Sequence, residues 1–145
     1  MININLLFDM DDTIDLDDNW LNSICKNILN DKDHDTATIS IILTNDNKLL
    51  KLKKKYFHQD MLTDVITFNL EDDDDPVEGE IYISLNRVSE NAKKYKQDID
   101  KELKRVIIHG LLHLLGHDDQ TPAGKKTMNR LEDYYLRQSI VSDQL

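Results

Sequence analysis

The segment from Val106 to Leu115 constrains the fold more than any other part of the chain. Seven of its ten residues are Leu, Ile or Val. The positions that share the buried side of a predicted helix are Leu103, Val106, Ile107, Leu111 and Leu114. Asp98 or Asp100 is placed to open this helix, and Gly116 is placed to end it. The fold must therefore supply an apolar layer against which this helix packs.

The elements around this helix predict a mixed sheet. Alternating or β-branched stretches predict strands at 2–6, 37–43, 65–70 and 79–84. Helix starts are predicted at Asp17 or Asp18, at Thr44 or Asn45, at Ser84, and at Thr121-Pro122. In the helix after Ser84, the apolar positions are Leu85, Val88, Ala92 and Tyr95. The short acidic connection between the third and fourth strands predicts that they are antiparallel. We therefore expect an α+β fold, with a small mixed four-stranded sheet flanked by about five helices, in one domain covering residues 1–145.

Composition narrows the class of protein. The chain has 145 residues and a single cysteine, Cys25, so an intrachain disulfide is excluded and a reducing compartment is favoured. The first residues carry no basic segment followed by an apolar core, so we do not expect a signal peptide. No apolar stretch approaches the roughly 20 residues that a membrane span needs. We expect a cytoplasmic protein with no membrane partner.

Charge is distributed unevenly along the chain. The net charge of −10 argues against non-specific binding of nucleic acid over the whole surface. However, residues 9–18 contain six Asp and residues 71–80 contain seven acidic residues, so the remainder is slightly positive. A basic run comprises Lys48, Lys51, Lys53, Lys54 and Lys55. We expect the acidic blocks to be solvated surface, and the basic run leaves one face on which a polyanion is tolerated.

Two histidines in the apolar helix indicate a metal site. His109 and His113 are four residues apart, so their rings lie one turn apart on one helix face and can share a cation. Gly116 permits a chain reversal that brings His117, Asp118 or Asp119 back toward the same cation. Two histidines, a third protein ligand and water form the open tetrahedral site of catalytic zinc. The spacing H-x-x-x-H-x-x-G-x-x-D is that of the extended metalloprotease helix.

The residue after the first histidine argues against peptide hydrolysis. Metalloproteases with this spacing carry Glu there as the general base. In this chain the position is Gly110, which has no side chain to accept a proton. The predicted ligand set is present, and the base of the proteases is absent.

The histidine segment resembles a known family. His109 to Asp119 reads HGLLHLLGHDD, which is similar to the H-G-x-L-H-L-x-G-Y-D-H signature of the YbeY proteins, metal-dependent endoribonucleases of ribosomal RNA maturation. Residues 63–68 resemble the family's T-D-V-L-S-F strand, and residues 79–84 its G-D-I-x-I-S strand. Met128 and Glu132 match residues of its last helix. The resemblance covers roughly residues 38–136 and implies a mixed sheet of four strands with flanking helices.

The resemblance implies a ligand set. His109 and His113 fall on the family's first two zinc ligands, and Asp119 stands where the third is usually His. His117 takes the place of the usual Tyr. Since a carboxylate is a competent zinc ligand, we expect one Zn²⁺ per chain on His109, His113 and Asp119, with one positive charge less than a three-histidine site. No catalytic residue is assigned beyond this metal site.

One departure concerns the loop before the third strand. The family carries a basic residue there, directly after a Tyr, whereas Tyr56 is followed by Phe57 in this chain. Gln59, His58 and the neighbouring lysines are candidates to replace it, and the spacing does not select among them. Candidates for groups that orient ligands or face substrate are His117, His58, Lys54 and Lys55.

The resemblance implies a metal-dependent endoribonuclease of single-stranded RNA, acting in ribosomal RNA maturation and ribosome quality control. Its partners would be single-stranded or ribosomal RNA, with ribosomal proteins as further candidates. One alternative is a non-catalytic, zinc-containing RNA-binding or ribosome assembly factor, with His117 as a fourth ligand that closes the site. Another is a small-molecule or peptide metallohydrolase, for which Glu132 is the nearest candidate base.

Overall fold

Strands and helices follow one another in the order that the sequence predicts. The structure, a computed structural model, describes residues 1–11 and 13–144, with side chains through Gln138, and there it has one four-stranded sheet and five helices. The strands are β1 (Ile2–Phe8), β2 (Ala37–Thr44), β3 (Val65–Asn69) and β4 (Val77–Ser84). The helices are α1 (Asp18–Asp31), α2 (Asp46–Phe57), α3 (Leu85–Lys94), α4 (Ile99–Leu114) and α5 (Pro122–Gln144). The predicted α+β class is confirmed.

The sheet is mixed, with strand order β1-β2-β4-β3. β1 pairs parallel with β2, and β2 pairs parallel with β4, so helices connect these strands as crossovers. β3 pairs antiparallel with β4, as the acidic connection predicts, with Val65 beside Ile83 and Asn69 beside Gly79. In the described part of the chain, β3 therefore lies at one edge of the sheet.

One face of the sheet carries the main core. Alternate residues of the two central strands pack in one cluster with α1 and α4, since successive side chains of a strand point to opposite faces. The strand residues of this cluster with no exposed surface are Ile39, Ile41, Leu43, Ile81 and Ile83. Burying each such side chain contributes roughly 1.5–3 kcal/mol. This layer is what the apolar α4 requires.

The opposite face of the sheet is covered near β3 and β4 by α2. Ile42 and Ile66 alternate with the core residues and are buried, as is Leu49 of α2. The first turn of α2 is joined to the start of α3: Ser84 Oγ donates a hydrogen bond of 2.7 Å to Asp46 Oδ1. These contacts hold the first turns of α2, and Tyr56 in its last turn contacts Phe68 of the edge strand, with ring centres 5.2 Å apart.

One predicted core position is wrong. Tyr95 is expected to face inward at helical spacing, yet it is 58% exposed. α3 ends at Lys94, and Tyr95 is the residue that caps it, with φ −97° and ψ 7°. Helical spacing therefore no longer sets the direction of its side chain.

The acidic blocks are largely at the surface, as expected. Asp72–Asp75 form an exposed turn between β3 and β4. In the first block, Asp9, Asp11, Asp15, Asp17 and Asp18 are exposed, and Asp12 lies outside the described residues. Among the described helices, none has the length and apolar character needed to cross a bilayer.

Candidate metal centre

α4 presents its two histidines on one face. The ring centres of His109 and His113 are 5.8 Å apart, with an angle of 47° between the rings. Gly110 lies on a different face of the helix and packs against the sheet. A Cβ atom there would lie 2.8 Å from Ile81 Cγ2 and 3.1 Å from Val65 Cγ2. The glycine therefore allows α4 to approach the sheet closely.

A tight turn ends α4 and redirects the chain. Gly116 has φ +99°, its N–H donates to the His113 carbonyl (3.0 Å), and the His117 N–H donates to the Leu112 carbonyl (3.1 Å). These two bonds form a Schellman motif, the common glycine stop of helices. The turn is followed by Asp118, whose Oδ1 accepts from the Gln120 N–H at 2.8 Å. The chain thus returns toward the histidine face at Asp119.

We expect Gly116→Ala to destabilise the protein by roughly 1 kcal/mol, because a left-handed backbone costs an L-residue about 1–2 kcal/mol. No atom lies within 4 Å of the added Cβ, so the effect is a backbone effect alone. Denaturant unfolding measures it. Gly116→Asn is the matched control and should lose less, since Asn tolerates this conformation better. Equal stability of Gly116→Ala and the wild type would contradict the strain.

Three candidate ligand atoms come together at this turn. Ligand atoms of His109, His113 and Asp119 all lie within 4.8 Å of one another. Asp119 Oδ2 is 3.3 Å from His109 Nε2, and Asp119 Oδ1 is 3.3 Å from His113 Nε2. Two ligands at the usual zinc distances of about 2.0–2.2 Å and a tetrahedral angle lie about 3.4 Å apart, so the donor set and its spacing fit zinc. His113 is exposed, which leaves one side of the cluster open.

Glu132 of α5 orients the first histidine. Its carboxylate is buried, and Oε2 lies 2.9 Å from His109 Nδ1. This contact favours the tautomer with the proton on Nδ1, which leaves the Nε2 lone pair for a cation. The other oxygen, Oε1, accepts from Arg105 Nη1 at 3.0 Å. Both carboxylate oxygens are thus engaged away from the open side of the cluster.

We expect Glu132→Gln to lower zinc affinity roughly 10- to 100-fold, the usual loss when a residue that supports a metal-bound histidine is changed. Competition with a chromophoric chelator measures it. Asp133→Asn is the matched control, because Asp133 also binds Arg105, at 2.8 Å, and has no contact with His109 among those described. Equal losses in the two variants would show that bulk charge, and not the contact with His109, is responsible.

Negative charge surrounds the buried side of His109. Burial alone lowers the pKa of His109, but the hydrogen bond and charge of Glu132, with the charges of Asp119 and Asp64, outweigh burial and raise it. Burial raises the pKa of Asp64, and the charge of His109 opposes that rise. The centre therefore favours a positive charge at His109, whether a proton or a metal ion supplies it.

Sequence reasoning missed Arg105. Its guanidinium joins Glu132 and Asp133, and so holds the carboxylate that contacts His109. A signal was present, since Arg105 precedes His109 by four residues and shares its helix face. The partners come from α5, however, and only the fold brings them within reach.

The other predicted site residues lie outside the three-residue cluster. His117 is half-buried, and its pKa is lowered by burial and by the charge of Lys32, near the end of α1. His58 is exposed and ends α2 with φ 54°. Lys54 is exposed and lies 3.6 Å from Asp60, and Lys55 Nζ lies 5.1 Å from the centre of the Tyr56 ring.

A cleft of about 360 Å³ adjoins the candidate metal centre. It is lined by Lys53, Phe57, Gln59, Val65, Ile66, Thr67, His113 and Gln120. A larger hollow of about 590 Å³ lies between β1 and α1 and contains none of the candidate ligands. The cleft that includes His113 is therefore placed to bring a substrate to a metal.

Comparison with known proteins identifies the family. The family model described as endoribonuclease YbeY matches residues 8–139. This chain belongs to the YbeY family. The endoribonuclease YbeY of Amoebophilus asiaticus is 43% identical over 110 residues, 76% of this chain and 75% of that protein. The YbeY of Flavobacterium psychrophilum is 40% identical over 119 residues, 82% of this chain and 81% of that protein.

A solved structure shares the fold of this chain. A solution structure from Thermotoga maritima superposes with a TM-score of 0.63 at 27% identity, covering 97% of this chain and 91% of that one. The family match spans the whole segment from His109 to Asp119 and both walls of the cleft. The YbeY assignment thus includes the candidate metal centre.

Proposed function

We propose that this chain is a zinc-dependent endoribonuclease that cuts single-stranded RNA in ribosomal RNA maturation and ribosome quality control. The observation that carries the proposal is the cluster of His109, His113 and Asp119, open on one side to a cleft, in a member of the YbeY family. The curated relatives are named as endoribonucleases, which supports the reaction class.

Each group at the centre has a separate task in this proposal. His109, His113 and Asp119 hold one zinc ion, and Glu132 fixes the ring of His109. When bound, zinc supplies Lewis-acid charge for a phosphoryl oxygen and lowers the pKa of water. Two imidazoles and a carboxylate suit zinc, although they also accept other divalent transition metals.

The charge of the surface is the basis for proposing where the RNA binds. Exposed lysines of α2, among them Lys54 and Lys55, attract the RNA backbone without regard to sequence. His58, at the end of α2, and His117, in the turn after α4, are proposed to face the RNA beyond the cleft. The exposed acidic turn Asp72–Asp75 repels a polyanion and so directs the RNA toward α2.

Two observations weigh against the alternatives. A closed structural zinc site needs a fourth ligand, and among the described residues no further His, Cys, Asp or Glu joins the cluster. A peptide hydrolase needs a free carboxylate near the metal. Glu132 is not free, since its two oxygens meet His109 and Arg105. Both observations support metal-dependent RNA scission over the alternatives.

The proposed reaction also indicates where in the cell the protein acts. Ribosomal RNA and ribosomal proteins meet where ribosomes are assembled, so we propose that the chain acts in the cytoplasm on ribosomal precursors, with ribosomal proteins as neighbours. Its single cysteine, Cys25, is buried, which suits a reducing compartment.

Metal content and RNA scission, measured on one preparation, test the proposal. We expect about one zinc per chain by elemental analysis, internal cuts in single-stranded RNA, loss of cutting in chelator and recovery with added zinc. His113→Ala, which removes one cluster residue, should lose both metal and cutting. Full metal occupancy with no scission beyond that of His113→Ala would instead favour the RNA-binding factor. Metal-dependent cleavage of peptides would favour the hydrolase.

A further inference from the structure

The cleft beside the metal centre crosses the edge of the sheet. Its lining includes His113 at the end of α4, Gln120 in the segment that follows, and Lys53 and Phe57 of α2. Val65 to Thr67 of β3, the edge strand, also line it. Its volume of about 360 Å³ falls at the lower end of small-ligand pockets. A group that fills it lies directly beside whatever reacts at the metal.

We propose that this cleft is a nucleotide subsite, in which a base stacks on Phe57 while Lys53 contacts the adjoining phosphate. The proposal rests on the proposed function and deepens it, because it names the residues that seat the nucleotide next to the scissile phosphodiester.

Phe57 has the properties of a stacking platform. Its side chain is 42% exposed although it lies among aromatic neighbours. Phe68 stacks against it, with ring centres 6.0 Å apart and an angle of 29° between the rings. Phe68 is held in turn by Tyr56 at 5.2 Å and Tyr82 at 5.9 Å. A supported ring that keeps exposed surface binds any base through its π face, independent of sequence.

Lys53 supplies the charge that belongs with a stacked nucleotide. It precedes Phe57 by one helical turn, and its ammonium lies over the Phe57 ring, 5.1 Å from the ring centre. In the proposed complex the base takes the place of the ammonium on the ring, and the ammonium moves to the adjoining phosphate. Among the described residues that line the cleft, it is the one lysine or arginine. Of the lysines near Phe57, Lys53 is therefore the one placed to neutralise a phosphate in the cleft.

The remaining lining groups suit a nucleotide better than an apolar ligand. Gln59 and Gln120 carry amides, and Thr67 carries a hydroxyl, so the walls offer both donors and acceptors. An edge strand can also pair with an extended peptide, and such a ligand would need the β3 backbone rather than Phe57. The test below separates these two ligands.

The experiment measures binding separately from cutting. A short single-stranded oligonucleotide with 2′-O-methyl sugars is titrated into the zinc-loaded protein and followed by fluorescence anisotropy, with its integrity checked afterwards. A series of oligonucleotides carries one abasic site at successive positions. The affinity of each is measured for the wild type, Phe57→Leu and Tyr56→Leu. Tyr56 is the matched control, because it is exposed, adjacent and touches Phe68, but does not line the cleft.

We expect one abasic position to weaken binding to the wild type roughly five- to hundredfold, the range of one lost stacking contact. The same position should have no further effect in Phe57→Leu and its full effect in Tyr56→Leu, as a double-mutant cycle requires for a direct contact. An abasic effect that persists in full in Phe57→Leu would overturn the stacking role.

A second cycle tests the charge. A single neutral methylphosphonate linkage beside that base should weaken binding of the oligonucleotide to the wild type and to Lys55→Met. It should have no further effect on binding to Lys53→Met. Lys55 is matched to Lys53, since its ammonium also lies 5.1 Å from an aromatic ring, that of Tyr56. Equal coupling with both lysines would overturn the assignment to Lys53.

Failure of the subsite and failure of the proposed function are distinguishable. If RNA is cut at internal sites but binding shows no coupling to Phe57, the subsite proposal is wrong and the proposed nuclease function stands. If binding shows coupling to Phe57 but ordinary RNA is not cut, the subsite proposal stands and the chain is better described as an RNA-binding factor. Displacement of the oligonucleotide by an unstructured peptide, equal in wild type and Phe57→Leu, would assign the cleft to peptide pairing with β3.

Discussion

Asp119→Ala is expected to weaken zinc binding about a thousandfold and to abolish RNA cutting at ordinary zinc concentrations. Zinc held by a protein site has an apparent binding free energy of about 10–16 kcal/mol. Losing one of three ligands removes roughly a third of this, about 4 kcal/mol, which corresponds to a factor of about 1000 in the dissociation constant. Asp119 lies 3.3 Å from both histidines, so both lose their partner in the cluster.

Two neighbours serve as controls in the same chelator competition. His117→Ala removes the other candidate of the turn and should keep nearly full affinity, because His117 lies toward Lys32. Asp118→Ala removes an equal charge one position earlier, where the carboxylate accepts from the Gln120 N–H. Loss of metal in His117→Ala with retention in Asp119→Ala would reverse the assignment of the third ligand.

Gly110→Glu is expected to leave most molecules unfolded rather than to create a peptidase. A Cβ at this position already meets Ile81 Cγ2 at 2.8 Å, a branched methyl group on a buried strand. The full side chain would add its volume and a charge without a partner to this contact, at a cost of several kcal/mol. Domains commonly have only about 5–15 kcal/mol of net stability.

Gly110→Ala tests the same steric effect with a smaller side chain. The overlap costs about 1–3 kcal/mol, and the better helix propensity of alanine offsets up to about 1 kcal/mol. We therefore expect a folded protein with a lower denaturation midpoint, and a far larger loss for Gly110→Glu in circular dichroism and thermal unfolding. A folded, stable Gly110→Glu would show that this position does not face the sheet.

Much of the fold follows from local chemistry. Asp17, Asn45 and Ser84 each accept backbone N–H groups at a helix start, so their positions in the sequence mark real boundaries. Gly116 marks the end of α4 in the same way, by its positive φ. The predicted spacing also places His109, His113 and Asp119 together, because all three belong to one helix and its turn.

The rest depends on contacts between distant segments. Arg105 meets Glu132 across 27 residues of sequence, and no periodicity reports that distance. The position of β3 at the sheet edge follows from how strands pair, and β3 lines the cleft that Phe57 and His113 share. Tyr95 is misplaced for a local reason, since it stands one residue beyond the end of α3.

The candidate ligands occupy a short span of the chain. His109, His113 and Asp119 fall within eleven consecutive residues, whereas most β-sheet pairings join segments far apart. Closing so short a loop costs little entropy, so the three side chains come together at low cost once α4 and its turn have formed. A metal ion held by these three residues would therefore cross-link only α4 and its turn, and not distant segments of the chain. Glu132 of α5 contacts the ring of His109 and so joins this local centre to a distant part of the chain.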